Sequence, residues 1–186
     1  REELGRELLD PGASQVFAVA DHQVAHVYVK DLALAAPARE LMESTSGIQT
    51  VLEGEHSRAG DLVAVSDENA WFTYYYWLDD DRAPDFARTV DIHRKPGFDP
   101  CELFIDPTLT APKARIAWRL LQKKLGQRML MDVIPLDATL VKGSHGTRPV
   151  SRADWPVFIA AKPDSIAGDT LKSTEIHEQI IRAVTG

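Results

Sequence analysis

Apolar positions along this chain follow two periods. The run VFAVA at 16–20 predicts a buried strand over 15–20. Residues 23–29 alternate, with Val24, His26 and Tyr28 on one face and Ala25, Val27 and Val29 on the other. Residues 48–52 and 62–65 predict further strands on either side of a polar loop at 54–60. AWFTYYYWL at 70–78 predicts a strand in a pocket wall or under a lid, because aromatic side chains favour the pleated surface. WPVFIA at 155–160 predicts another buried strand. Helical spacing appears at 2–9, where Leu4, Leu8 and Leu9 precede a DPG stop, and at 37–43, with Pro37 near the first turn. Residues 112–125 predict the clearest helix, with Ile116, Leu120 and Leu121 inward, and Lys113, Arg119, Lys123 and Lys124 toward water. Residues 173–184 predict a last helix, capped by Ser173 and striped with Ile176, Ile180, Ile181 and Val184. Residues 79–88 read as acidic and then helical, and 89–107 as an ordered loop. Strands interleaved with helices predict an α/β or α+β chain.

Composition narrows the function classes. A chain of 186 residues, 44% hydrophobic and 26% charged, is an ordinary globular composition with enough length for a real core. A net charge of −7 argues against nucleic acid as the main partner, because phosphate backbones require a basic surface. No apolar run approaches membrane-spanning length and no signal peptide is visible, so no membrane partner is expected. A single cysteine, Cys101, excludes an internal disulfide and points to a reducing, cytoplasmic setting. The start at Arg1 suggests a chain cut from something longer. No glycine-rich nucleotide fingerprint follows any predicted strand, which removes a Rossmann or P-loop reading.

The chemistry concentrates where predicted strands end. Asp21 and His22 leave the run at 16–20, and His145 stands in GSHG at 143–146, shortly before the run at 155–160. A carboxylate and imidazoles at the ends of buried strands suit zinc or manganese. In an arbitrary protein an Asp–His pair is more often a solvated turn, and a histidine between two glycines can simply cap a turn. His26 shares a strand face with His22, either supporting Asp21 and His22 from behind or serving as a core histidine. Asp91, His93, Arg94 and Lys95 gather polar and cationic groups in an acidic chain. They suit either a substrate phosphate or an ion-paired loop anchored to Asp79, Asp80, Asp81 or Asp85. Trp71, Tyr74, Tyr76 and Trp77 suit stacking on a base or sugar, or core packing. His56 and His177 read as surface residues.

The segments FAVADHQ, KGSHG with WPVFIA, ENAWFTYYYWLDDD, TVDIHRKPGFDP and the closing helix together resemble the C-terminal portion of the alkaline phosphatase superfamily, in the type I phosphodiesterase and nucleotide pyrophosphatase branch. The resemblance implies an α/β fold: part of an alkaline phosphatase-like sheet with helices from 1–31 and 111–186, and a smaller inserted α+β subdomain at 32–110. The runs at 15–20 and 155–160 are then expected in one sheet. It further implies two divalent metal ions, zinc or else manganese, about 4 Å apart on either side of an in-line phosphoryl displacement. Asp21 and His22 match the adjacent pair on one metal, and His145 matches the late histidine on the other.

The nucleophilic Thr or Ser and the remaining ligands are implied upstream of Arg1. Thr45, Thr50 and Thr73 lack the surroundings of that nucleophile. The expected function is therefore the C-terminal part of a metal-dependent hydrolase acting on a small phosphorylated substrate, inactive by itself. The alternative is a non-catalytic module serving as a cap or interaction domain. The oligomeric state is left open.

Overall fold

The computed structural model describes residues 1–91, 94–161, 166 and 168–185. They fall into two compact units, residues 1–148 and 149–186. The first unit is built on a four-stranded antiparallel sheet. Its strands are β3 (Val16–Asp21), β4 (Val24–Val29), β5 (Ile48–Glu53) and β6 (Leu62–Ser66), in the order β3-β4-β6-β5. Two strands from 1–31 thus share one sheet with two from 32–110. The alternation at 24–29 is realised as predicted: Ala25, Val27 and Val29 are buried, while Val24, His26 and Tyr28 are half-buried. Helix α1 (Ala35–Glu43) lays Ala35, Ala38 and Met42 over Val27, Val29, Val51 and Leu62. Gly60 allows the β5–β6 loop to meet β4, because a Cβ there would lie 2.6 Å from both the amide nitrogen and the carbonyl oxygen of Val27. Three strands with a covered apolar face suffice for an independent sheet.

A second core forms from residues predicted to be a strand. Residues 70–78 make no strand but an irregular aromatic cluster. Tyr74 and Trp77 are buried with Ala20, Ala83, Ala87 and Leu136, and Phe72, Tyr75, Tyr76 and Phe86 pack around them. Tyr75 stacks on Trp77 at 4.8 Å, and Tyr74 meets Trp77 edge-on at 5.5 Å. Rings that stack on one another stabilise an irregular backbone without ladder hydrogen bonds. Tyr74, Tyr76 and Trp77 are packing residues, one half of the alternative that the sequence offers.

Four further expectations are corrected. Residues 2–9 form a tight hairpin of β1 (Glu2–Glu3) and β2 (Arg6–Glu7), not a helix. Leu4 and Gly5 both take positive φ, the backbone of a primed two-residue turn, and Leu4 is 97% exposed. Across the hairpin, Glu2 and Glu7 both pair with Arg82. Residues 79–88 hold only a 3-10 turn, Asp80–Arg82, capped by the Asp79 carboxylate accepting from the Asp81 amide at 2.9 Å. Residues 155–160 form no strand, and Val157 and Ile159 are exposed; an apolar run by itself cannot tell a strand from irregular chain. Among its described residues the second unit holds two 3-10 turns (Arg152–Asp154 and Ser173–Glu175) and α3 (Ile176–Thr185). The Glu175 carboxylate accepts from the Lys172 amide at 2.7 Å ahead of α3, so Lys172 rather than Ser173 takes the cap position.

Helix α2 (Pro112–Lys124) forms as predicted, and Gly126, with φ of 74°, follows its end. It buries no residue, however, and Leu120 and Leu121 are exposed. Its tether is ionic. Arg119 grips Asp132 through two hydrogen bonds of 2.8 Å, and Arg115 joins them. Burial works to raise the Asp132 carboxyl, but hydrogen bonds from Arg119 and Arg115 outweigh it and hold the group at about 2. A carboxyl depressed on folding stabilises above its ordinary range, and that stabilisation is lost as pH falls through the folded value. Asp132→Asn is therefore expected to speed amide hydrogen exchange in α2 while leaving β4 protected. Wild-type α2 is expected to loosen only as pH falls from about 4 toward 2. Equal exchange in α2 of the variant and the wild type would show that the tether is idle.

Candidate functional site

Val24 pairs with Asp21, so the β3–β4 hairpin closes through two residues, His22 and Gln23. His22 has φ of 57°, in the left-handed region that a histidine adopts at a cost. The turn is clamped from three directions. The His22 carbonyl accepts from the Phe72 amide at 2.7 Å. The Gln23 amide donates to the His145 carbonyl at 2.9 Å. The buried Gln23 side chain donates to the carbonyls of Glu68 and Ala70, both at 3.1 Å. Sequence reasoning missed Gln23, although a large amide beside Asp–His at a strand end is a signal worth testing.

This clamp brings two of the predicted residues together. The His22 and His145 rings lie with centroids 4.0 Å apart and planes tilted by 35°. His22 Nδ1 is 2.9 Å from Asp21 Oδ1, with the His22 side chain 14% exposed and that of Asp21 63%. His145 is itself exposed. The segment carrying His145 is fixed by Gly146, whose φ of 118° suits glycine and where a Cβ would press on Val24 Cγ2 at 3.1 Å. Thr147 Oγ1 adds a hydrogen bond to the Ser66 carbonyl at 3.2 Å. On the other side Phe98 stacks on His22 at 4.5 Å, another contact without a local signal in the sequence. Asp21, His22 and His145 therefore form one surface cluster.

Two of the remaining candidates make contacts of their own. His26 Nδ1 accepts from the Gly60 amide at 3.2 Å, so its imidazole holds the β5–β6 loop against β4. Arg94 is exposed and pairs with Asp91 at 3.6 Å, not with the acidic run at 79–81. His93 lies outside the described residues.

The donor chemistry suits divalent metals in part. When Asp21 accepts a hydrogen bond from His22 Nδ1–H, the Nε2 lone pair of His22 is left for a metal, the carboxylate–histidine arrangement common to metal sites. Asp21 Oδ2 and the His145 ring are further donors. Beside His145 the Ser144 hydroxyl is buried with no hydrogen-bond partner among the described residues. No group of three His, Cys, Asp or Glu converges on a single point among the described residues, so these donors complete no four-coordinate site by themselves.

A family model described as type I phosphodiesterase / nucleotide pyrophosphatase matches residues 3–99. No curated protein and no solved structure matches the chain. The match includes Asp21, His22 and the Gly97–Phe98 turn, and stops short of His145.

The strained turn has a measurable consequence. Glycine takes positive φ freely, so His22→Gly is expected to be more stable than His22→Ala by about 1 kcal/mol in urea denaturation. Equal midpoints and slopes for the two variants would show that the backbone at 22 carries no strain.

Proposed function

The chain belongs to the type I phosphodiesterase / nucleotide pyrophosphatase family, and on that premise we propose that it carries part of a binuclear metal site for hydrolysing phosphoric esters. The observation that supports this reading is the approach of His22 to His145, 4.0 Å between ring centroids, from opposite ends of the first compact unit. In this reading Asp21 and His22 hold one divalent ion and His145 the other, zinc or else manganese. Such ions, when bound, polarise phosphoryl oxygens and stabilise the attacking and leaving oxygens of an in-line displacement.

The residues of this chain orient and present the donors. Asp21 fixes the proton of His22 on Nδ1 and keeps Nε2 free. Phe98 and His145 both contact the His22 ring, and the Gln23 side chain holds the turn that carries it. Thr45 is unsuited as the nucleophile because its hydroxyl donates to the Leu41 carbonyl at 2.8 Å. The nucleophile and the missing ligands come from other residues of the full-length protein in this proposal. The substrate is a small phosphorylated molecule of the nucleotide type, in keeping with the family.

With bis-p-nitrophenyl phosphate and zinc or manganese, His22→Ala and His145→Ala in the full-length protein are each expected to lower kcat/KM by at least about 100-fold. His177→Ala, on α3, is expected to leave turnover intact, and a chelator to abolish it. The isolated 186-residue chain is expected to show no turnover with either metal. Undiminished turnover in both His22→Ala and His145→Ala would overturn the proposal. Robust turnover by the isolated chain would place the nucleophile within these residues.

A further inference from the structure

Within the loop at 89–107, the group Asp91, His93, Arg94 and Lys95 suits either a substrate phosphate or an ion-paired loop. Among them the geometry points to Lys95. We propose that Lys95 is a positioning residue for His22, acting through the Gly97–Phe98 turn. The proposal rests on the reading of His22 as a metal donor.

Lys95 is buried with two carboxylates. Its Nζ lies 2.7 Å from Asp99 Oδ2 and 3.1 Å from Glu102 Oε1, with side-chain exposures of 2% for Lys95, 1% for Asp99 and 5% for Glu102. The ammonium also donates to the Ala87 carbonyl at 3.3 Å and sits 5.7 Å from the centre of the Tyr74 ring. A buried ammonium is tolerated only when paired and hydrogen-bonded, and here the pairing serves geometry. Asp99 Oδ1 accepts from the Cys101 amide at 3.1 Å, and Glu102 Oε2 accepts from the Asp91 amide at 3.1 Å. Both limbs of the loop are thus fastened around one ammonium.

Only Pro96, Gly97 and Phe98 separate Lys95 from Asp99, so their ion pair closes the turn that those three residues form. That turn touches the site. Gly97 bridges Ala20 at the end of β3, and the Phe98 amide donates to the Ala20 carbonyl at 3.3 Å. Gly97 has φ of 145°, and a Cβ there would lie 2.7 Å from Tyr74 Cβ and 3.0 Å from the Ala20 carbonyl oxygen. The approach is therefore reserved for glycine. Phe98, set by this docking, covers the His22 ring at 4.5 Å and 30°. The chain of contacts runs from Lys95 through Asp99 to the turn, and from Phe98 to the imidazole.

The test uses the full-length protein with ring-labelled histidine. Phe98 imposes a ring-current shift on the His22 ring protons, which Phe98→Leu removes and so calibrates. Lys95→Met is expected to move the His22 signals toward the Phe98→Leu positions while those of His56 and His177 stay in place. Zinc affinity is expected to fall about 10- to 100-fold. Lys95→Met leaves two buried carboxylates uncompensated, so the triple variant Lys95→Met, Asp99→Asn, Glu102→Gln removes the charges together and loosens the same turn. It is expected to shift His22 in the same direction. Either variant folded with wild-type His22 signals and zinc affinity would overturn the proposal. Failure of both to fold would also overturn it, since the cluster would then serve stability alone. A His22 shift in a protein that binds no zinc would sink the metal reading and leave the positioning role standing.

Discussion

The arrangement of this site depends on one turn, the pair His22–Gln23 that closes β3 onto β4 with a histidine in left-handed backbone. Such a conformation costs on the order of 1–3 kcal/mol for a residue with a Cβ and persists only where its surroundings over-determine it. Here the surroundings are hydrogen bonds from Phe72, to the His145 carbonyl and from the Gln23 side chain, together with ring contacts from Phe98 and His145. The same interactions that hold the strained turn carry His145 to His22. Strain and juxtaposition are therefore two aspects of a single clamp. Glycine at position 22 would relieve the backbone and remove the imidazole with its contacts to Asp21, Phe98 and His145.

Two cores anchor the strands that carry this clamp. The valine-rich layer under α1 fixes β4 and β6, and the aromatic cluster at 70–78 fixes the end of β3 through Ala20. Ala20 belongs to the aromatic core, pairs with Ala25 across the hairpin and receives the Gly97–Phe98 turn. A small residue is required there, because sheet, aromatic core and loop all meet at its backbone. The loop in turn is closed by a buried ion cluster, whose separated charges would be costly in the interior and whose paired form is specific in geometry.

The sheet was legible at 24–29 from alternation, because Ala25, Val27 and Val29 are buried while the opposite face is half-buried, and at 48–52 and 62–65 from short apolar runs. Residues 2–9 misled because Leu4, Leu8 and Leu9 mimic helical spacing, while Leu4–Gly5 provides the positive-φ turn that decides the fold. Residues 70–78 misled because aromatic content signals burial without specifying a ladder, and here ring–ring contacts replace it. The residues at 155–160 and the face of α2 show that apolar patterning does not guarantee cover. Asp21 and His22 were singled out at the end of the predicted strand and His145 by its GSHG setting and the family resemblance, and the structure brings the His22 and His145 ring centroids within 4.0 Å. Gln23 and Phe98 were not, because their roles arise from contacts between distant segments that no local pattern encodes.

The most direct measurement is a crystal structure of the full-length protein with zinc, with anomalous data collected at the zinc absorption edge. The account predicts two anomalous peaks about 4 Å apart, one contacted by Asp21 and His22 and the other by His145. A metal-loaded structure in which neither His22 nor His145 contacts a peak would contradict it.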